Sequence, residues 1–147
     1  MALHIGTDLK NYVVNKGVIT ALAGTCGTGG IASINIYSGT QPVDADAGTS
    51  GSLLCTISGI GWATGIGTTS GTAGLANTAG YSGTAIAAGT AGWARMQTVG
   101  VGYSGSAATH RIDGDVGTSG TATFIIDSVS ASIGGVMTLL TAPIYLA

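Results

Sequence analysis

Two stretches of the chain carry the pattern D-x-D-x-G, which brings the carboxylate oxygens of two aspartates close together. They are residues 44–48 and 113–117. The pattern is similar to the opening of an EF-hand calcium loop, but such a loop needs further oxygen ligands and a closing bidentate glutamate. The chain contains no glutamate, and aspartate is common in turns because its side chain bonds the nearby backbone. We therefore predict turns at both stretches and expect no bound metal.

Ser104, His110 and Asp113 are of the residue types that form a catalytic triad. A triad depends on geometry, and no G-x-S-x-G elbow surrounds this serine. Residues 100–105 match the dinucleotide fingerprint G-x-G-x-x-G. However, the run after them points to another strand and not to the helix that would meet a phosphate. The sequence predicts a non-enzymatic protein without a cofactor.

Large side chains are few in this chain, and they are the candidates for contacts with other molecules. Because most neighbours are small, we expect core or subunit contacts from the aromatic residues rather than a sugar-binding platform. If Trp93 and Arg95 lie on one strand, the alternation of side chains places both on the same face. Tryptophan and arginine are enriched at the centres of protein interfaces. The interface candidates are Trp62, Trp93, Arg95 and Tyr37.

The composition excludes several classes of protein. More than half of the residues are Gly, Ala, Thr or Ser, and only 7% are charged, against about 25% in an ordinary soluble domain. A hydrophobic fraction of 45% argues against disorder. Four basic residues leave no positive surface for nucleic acid or an anionic membrane. The 48 residues between Asp46 and Arg95 carry no charge. Exposed strands without charge tend to pair with other chains, so we expect neighbouring subunits to cover them in a homo-oligomer, a dimer or a trimer.

The start of the chain and its two cysteines bear on the compartment. No basic segment followed by an apolar run opens the sequence, so we expect no signal peptide. Cys26 and Cys55 allow one bridge, but two free thiols are expected for a protein assembled in the cytoplasm. Together with His4 and His110 they show no paired short spacing of the kind that zinc sites use.

The elements that would position these residues are mostly strands. We predict one domain over residues 1–147, with one or two short helices in residues 1–24 and an all-β body in residues 25–147. Thr7 and Asp8 can begin the helical part. Short strands separated by Gly, Ser and Thr turns predict a β-sandwich of jelly-roll type. The predicted strands are 31–37, 53–57, 61–66, 83–87, 93–99, 109–113, 121–127 and 136–146.

Three phrases of the sequence, taken in order, carry a family resemblance. They read I-N-I-Y-S-G-T-Q-P-V-D-A-D at 34–46, A-G-T-A-G-W-A-R at 88–95 and R-I-D-G-D-V-G-T-S-G at 111–120. The chain resembles a family of small virion structural proteins of tailed bacteriophages. The resemblance spans nearly the whole chain and departs at the Gly/Thr run of residues 59–74.

The resemblance implies a capsid cement or decoration protein. Such a protein would stabilise contacts between major capsid protein subunits on the capsid surface of the virion, after assembly in the host cytoplasm. A tail or neck component is an alternative, and so is a carbohydrate-binding module used in host attachment. For Arg95 two kinds of partner stay open: an acid on the capsid, or an internal carboxylate from Asp113 or Asp115. We expect the internal pair.

Overall fold

The computed structural model describes residues 4–6, 32–60, 72–74, 80–101 and 107–145. Within these ranges the chain forms strands and turns, and no helix long and apolar enough to cross a membrane is found. The strands are β1 His4–Ile5, β2 Ala32–Ser38, β3 Leu53–Ile60, β4 Thr72–Gly74, β5 Tyr81–Thr84, β6 Gly89–Val101, β7 Ala107–Gly117, β8 Phe124–Ile126, β9 Ser130–Ala131, β10 Val136–Thr141 and β11 Pro143–Tyr145.

Nine strands of the described part form one sheet that curls into a nearly closed barrel. Its main path runs β3-β2-β6-β7-β8-β10-β5, with β1 beside β7 and β9 beside β6. The pairing of β7 with β8 is parallel and the others are antiparallel. Just after β5, a bridge between Ala85 and Cys55 and a 2.8 Å bond from the Ile86 amide to the Leu54 carbonyl bring the last strand back to the first. The predicted all-β class is confirmed for the residues that the structure describes.

The interior of the barrel is filled by apolar side chains from alternate strand positions. This alternation is what a strand with one buried face requires. The side chains of β2, β6, β8 and β10 that fill the interior include Ile34, Ile36, Ala94, Met96, Phe124, Ile126, Met137 and Leu139.

A glycine permits the close approach of β5 to β3. A Cβ added at Gly83 would overlap the carbonyl oxygen of Thr56 and lie 2.7 Å from the Sγ of Cys55. Closure of the barrel at this seam therefore depends on a residue without a side chain.

Several predicted strands match the structure, and one prediction is wrong. The runs 31–37, 53–57 and 93–99 correspond to β2, β3 and β6. The turn predicted at 113–117 is absent, because β7 continues through Gly117. The predicted helical segment 1–24 contains a strand at His4–Ile5. Its helix from Thr7 onward lies outside the described residues, as does the predicted strand 61–66.

Candidate functional site

The connection between β2 and β3, residues 39–52, crosses the outer face of the sheet, and we call it the strap. Its base is closed by two bonds, from the Ser38 amide to the Ser52 carbonyl and from the Ser52 amide to the Ser38 Oγ, each 3.0 Å long. Ala45, near the middle of the strap, is fully buried. The strap is thus packed onto the barrel.

A turn inside the strap is set by Asp44. Its Oδ1 accepts the backbone amides of Asp46 and Ala47 at 2.9 and 2.7 Å. This is the local side-chain bonding that favours aspartate in turns. The turn predicted at 44–48 is confirmed.

Trp93 and Arg95 lie under the strap. On β6 they alternate with Ala94 and Met96, which belong to the barrel core, so they point to the outer face. Trp93 Nε1 donates to the Ser50 carbonyl at 3.3 Å. The Arg95 guanidinium carbon lies 5.5 Å from the centre of the Trp93 ring, within the range of a cation–π contact. The predicted shared face of Trp93 and Arg95 is confirmed.

Arg95 forms a two-pronged ion pair with Asp113. The two residues are directly opposite each other across β6 and β7. Arg95 Nε and Nη2 donate to Asp113 Oδ1 and Oδ2 at 2.7 and 2.6 Å. The bond to Asp113 raises the pKa of Arg95 above its usual value, against the opposing effect of burial. The expected internal pair is confirmed, and its partner is Asp113.

The same guanidinium also holds the strap. Arg95 Nη2 donates to the Ala47 carbonyl at 3.0 Å. Asp46, the residue before Ala47, adds a further favourable charge interaction with Arg95. One buried cation therefore joins β6, β7 and the strap.

Tyr37 completes the cluster from β2. It is opposite Trp93 in the β2–β6 register, and the two rings stack with centroids 4.5 Å apart and planes 13° apart. Three of the four interface candidates are thus brought together. Tyr37, Trp93 and Arg95 are 9%, 0% and 4% exposed, so in this conformation they offer a partner little surface. Their use at an interface stays a prediction, and Trp62 lies outside the described residues.

The first described residues border the cluster on the β7 side. His4 pairs with Asp113 across β1 and β7. A Cβ at Gly6 would lie 2.9 Å from Asp46 Oδ1, so the chain passes close to the strap at this point. The N-terminal strand and the strap therefore enclose the ion pair from two sides.

Asp115 plays a different part from its neighbour Asp113. Its Oδ1 accepts the Thr123 amide at 2.9 Å and the Thr123 Oγ1 at 2.8 Å. These bonds connect β7 to the segment that leads into β8. Asp115 is opposite Trp93 in the β6–β7 register, but its side chain stabilises a strand connection and does not bond the strap.

The arrangement of the cluster is suited to holding a loop. Arg95 Nε and Nη2 and Trp93 Nε1 donate to the Asp113 carboxylate and to two strap carbonyls. In the described ranges no three His, Cys, Asp or Glu residues gather as a metal site. Of the triad considered from the sequence, Asp113 has both oxygens engaged by Arg95, and Ser104 lies outside the described residues.

Cys55 is a buried free thiol in the described part of the chain. Burial raises the pKa of this thiol and so favours its unreactive protonated form. The expectation of a free thiol is confirmed for Cys55, whereas Cys26 lies outside the described residues.

Comparison of the chain with protein-family models, with curated proteins and with solved structures gives no match. The phage resemblance therefore rests on the three sequence phrases alone. Two elements of the cluster were not found by sequence reasoning, namely the carbonyls of Ala47 and Ser50. Every residue has a backbone carbonyl, so the sequence does not show which carbonyls accept hydrogen bonds. The one indication was that Arg95 has uncharged neighbours and so needs hydrogen-bond acceptors from elsewhere in the chain.

Proposed function

We propose that the protein is a non-enzymatic structural component of a tailed-phage virion, a cement or decoration protein that stabilises contacts between major capsid subunits. The observation that carries the proposal is the placement of the three family-like phrases. The phrase at 34–46 supplies most of β2 and the first half of the strap, that at 88–95 supplies the start of β6, and that at 111–120 supplies the later part of β7. These three strands are adjacent in the sheet.

The phrases also meet at one cluster of side chains. Tyr37 comes from the first phrase, Trp93 and Arg95 from the second, and Asp113 from the third. They are joined by the ring stack and the ion pair. The three phrases, although separate in the sequence, thus form one structural unit, the strap with the side chains that hold it. This supports treating their resemblance to the phage family as one observation and not as three unrelated matches.

A strap held in one conformation suits a protein that acts by holding capsid subunits together. A loop that is already held in one conformation loses less conformational entropy when it binds a capsid shell. Repetition of weak contacts over a symmetric shell then adds avidity, and neighbouring subunits are held together. The jelly-roll form of the sandwich and the N-terminal helices stay predictions that belong to this proposal.

The carbohydrate-binding alternative has less support. A sugar platform needs an exposed aromatic face, and Tyr37 and Trp93 are buried under the strap. A tail or neck component differs from a cement protein chiefly in where it binds and in copy number.

Binding to phage heads tests the proposal. Purified protein would be mixed with heads that lack it, from a phage whose genome encodes it, and sedimented. We expect saturable binding at a fixed ratio to the major capsid protein and greater resistance of the heads to heat. Absence of binding to heads, with binding to isolated tails instead, would move the assignment to the tail.

A further inference from the structure

The Arg95–Asp113 ion pair has the N-terminal strand β1 as its neighbour in the sheet. Arg95 of β6 is opposite Asp113 of β7, and Asp113 is in turn opposite His4 of β1. Residues that are directly opposite point to the same face of a sheet, with Cβ atoms about 5 Å apart. The fully buried Asp113 carboxylate therefore has Arg95 on one side and His4 on the other.

The position of His4 in this row costs free energy. Its Nδ1 is buried and has no hydrogen-bond partner among the residues that the structure describes. A buried polar atom without a partner lacks the hydrogen bonds that it would make with water. Withdrawal of β1 into solvent would restore those bonds. The pairing of β1 with β7 is therefore less stable than its other contacts would make it.

The described pairing of β1 with β7 is short. It consists of His4 and Ile5, and the Gly6 amide adds one bond to the Arg111 carbonyl at 3.2 Å. Ile5 packs against the hydrophobic core, because alternation places it on the face of the sheet opposite to His4. This apolar contact and a few backbone bonds hold β1 in place.

The strap contacts both the N-terminal strand segment and the ion pair through two consecutive residues. A Cβ added at Gly6 would lie 2.9 Å from Asp46 Oδ1, so the Asp46 side chain packs directly on the backbone that follows β1. The next residue, Ala47, accepts the 3.0 Å bond from Arg95 Nη2. A shift of the strap at one of these contacts therefore moves the other.

Loss of β1 would weaken the attachment of the strap to Arg95. With β1 in place, His4 covers one side of the Asp113 carboxylate and the ion pair keeps a fixed geometry. Without β1, water reaches the carboxylate, and ion pairs that are exposed to solvent are weak and poorly fixed. The bond from Arg95 to the Ala47 carbonyl would then join the strap to a side chain that is itself free to move.

We propose that β1 and the strap open and close as one unit, so that withdrawal of β1 from β7 releases the strap and uncovers Tyr37 and Trp93. These two side chains are 9% and 0% exposed while the strap is in place. Local opening is typical of segments with few buried apolar contacts. The coupling acts in both directions, because a coupling free energy between two sites is reciprocal. This opening needs no capsid, so it is independent of the proposed function.

Amide exchange of the full chain, followed residue by residue by NMR, tests the coupling. Ile5→Ala loosens β1 from the face of the sheet away from the strap. We expect the Gly6 amide to exchange faster by about tenfold, and the Asp46 and Ala47 amides of the strap to accelerate with it. Val129→Ala is the matched control, because Val129 packs against the same core from outside β1 and the strap. It should leave the strap amides unchanged.

His4→Leu should have the opposite effect. Leucine places a methyl group near the position of the buried Nδ1 and so removes the polar atom that lacks a partner. We expect the Gly6 amide and the Asp46 and Ala47 amides to exchange more slowly, by about threefold or more. Slower exchange does not arise from a folding defect, so this variant keeps the test decisive if Ile5→Ala unfolds.

Asp44→Ala tests the coupling in the reverse direction. It removes the carboxylate that accepts the Asp46 and Ala47 amides and so loosens the strap at a distance from β1 in the sequence. We expect the Gly6 amide to exchange faster by about threefold or more. A wild-type rate at Gly6 in this variant would overturn the inference. So would a change at Gly6 in the β1 variants without a change in the strap, or equal acceleration of the strap by Val129→Ala.

Discussion

Arg95 and Asp113 face each other across β6 and β7 and form a two-pronged ion pair, with only 5% and 0% of their side chains exposed. A buried pair of this kind contributes little net stability relative to apolar residues of the same shape, but loss of one partner leaves a buried charge alone. The third bond of Arg95, to the Ala47 carbonyl, gives the pair a specific task. It fixes the strap over the outer face of the sheet.

Removal of the cation should be costly for folding. We expect Arg95→Met to lower the free energy of unfolding by about 3–5 kcal/mol, because Asp113 is left buried without its partner. The double variant Arg95→Met/Asp113→Leu should recover much of that loss. Urea denaturation followed by tryptophan fluorescence measures both. A loss below about 1 kcal/mol in the single variant would mean that Asp113 finds water or another donor.

A more conservative change should release the strap while keeping the charge. Lysine cannot donate in a fork to Asp113 and also reach the Ala47 carbonyl. We expect Arg95→Lys to speed amide exchange in residues 44–50 by about tenfold, with little change in β2, measured by hydrogen–deuterium exchange and mass spectrometry. Asp115→Asn is the control, because Asp115 bonds Thr123 and not the strap. Equal exchange in both variants would show that other contacts hold the strap.

The seam of the barrel should be sensitive to a single methyl group. Gly83→Ala places a Cβ against the Thr56 carbonyl and Cys55, and we expect it to destabilise the fold by about 1–3 kcal/mol. Gly48→Ala, where nothing lies within 4 Å of the added Cβ, should change stability by less than about 0.5 kcal/mol. Thermal melting of both variants makes the comparison. Equal melting temperatures would mean that β5 and β3 can separate at no cost.

Cys55 should make the fold sensitive to alkali. Burial raises the pKa of this thiol in the folded state above its ordinary value of 9.0. As pH rises, the Cys55 thiol therefore ionises first in the unfolded chain. The stability that comes from burying the protonated thiol is fully present below pH 9 and is lost as pH rises further. Above pH 9 the wild type should lose up to about 1.4 kcal/mol per pH unit more than Cys55→Ala. Parallel pH profiles from urea titrations of the two proteins would contradict this.

Sequence reasoning reached the parts of the fold where side-chain type decides the outcome. The alternation at 31–37 located β2, and the spacing of Trp93 and Arg95 gave their shared face. The uncharged neighbours of Arg95 in the sequence predicted that its partner is a carboxylate within the same chain. Each of these follows from residue types that are close in sequence or scarce in the chain.

Other parts depend on tertiary contacts that leave no local signal. The pattern at 113–117 predicts a turn because aspartate side chains bond the nearby backbone in turns, yet Arg95 on the adjacent strand pairs with Asp113 and β7 continues. The closing of the sheet between β3 and β5 joins segments far apart in the chain and relies on Gly83. The strap acceptors are backbone atoms, which every residue has.

The copy number of this chain in virions tests its assignment to the phage head most directly. Virions of a phage that encodes the protein would be separated into heads and tails, and the ratio of this chain to the major capsid protein measured by quantitative mass spectrometry. We predict a fixed ratio of small whole numbers in heads and none in tails. A few copies confined to tails, or none in the virion, would contradict a cement function.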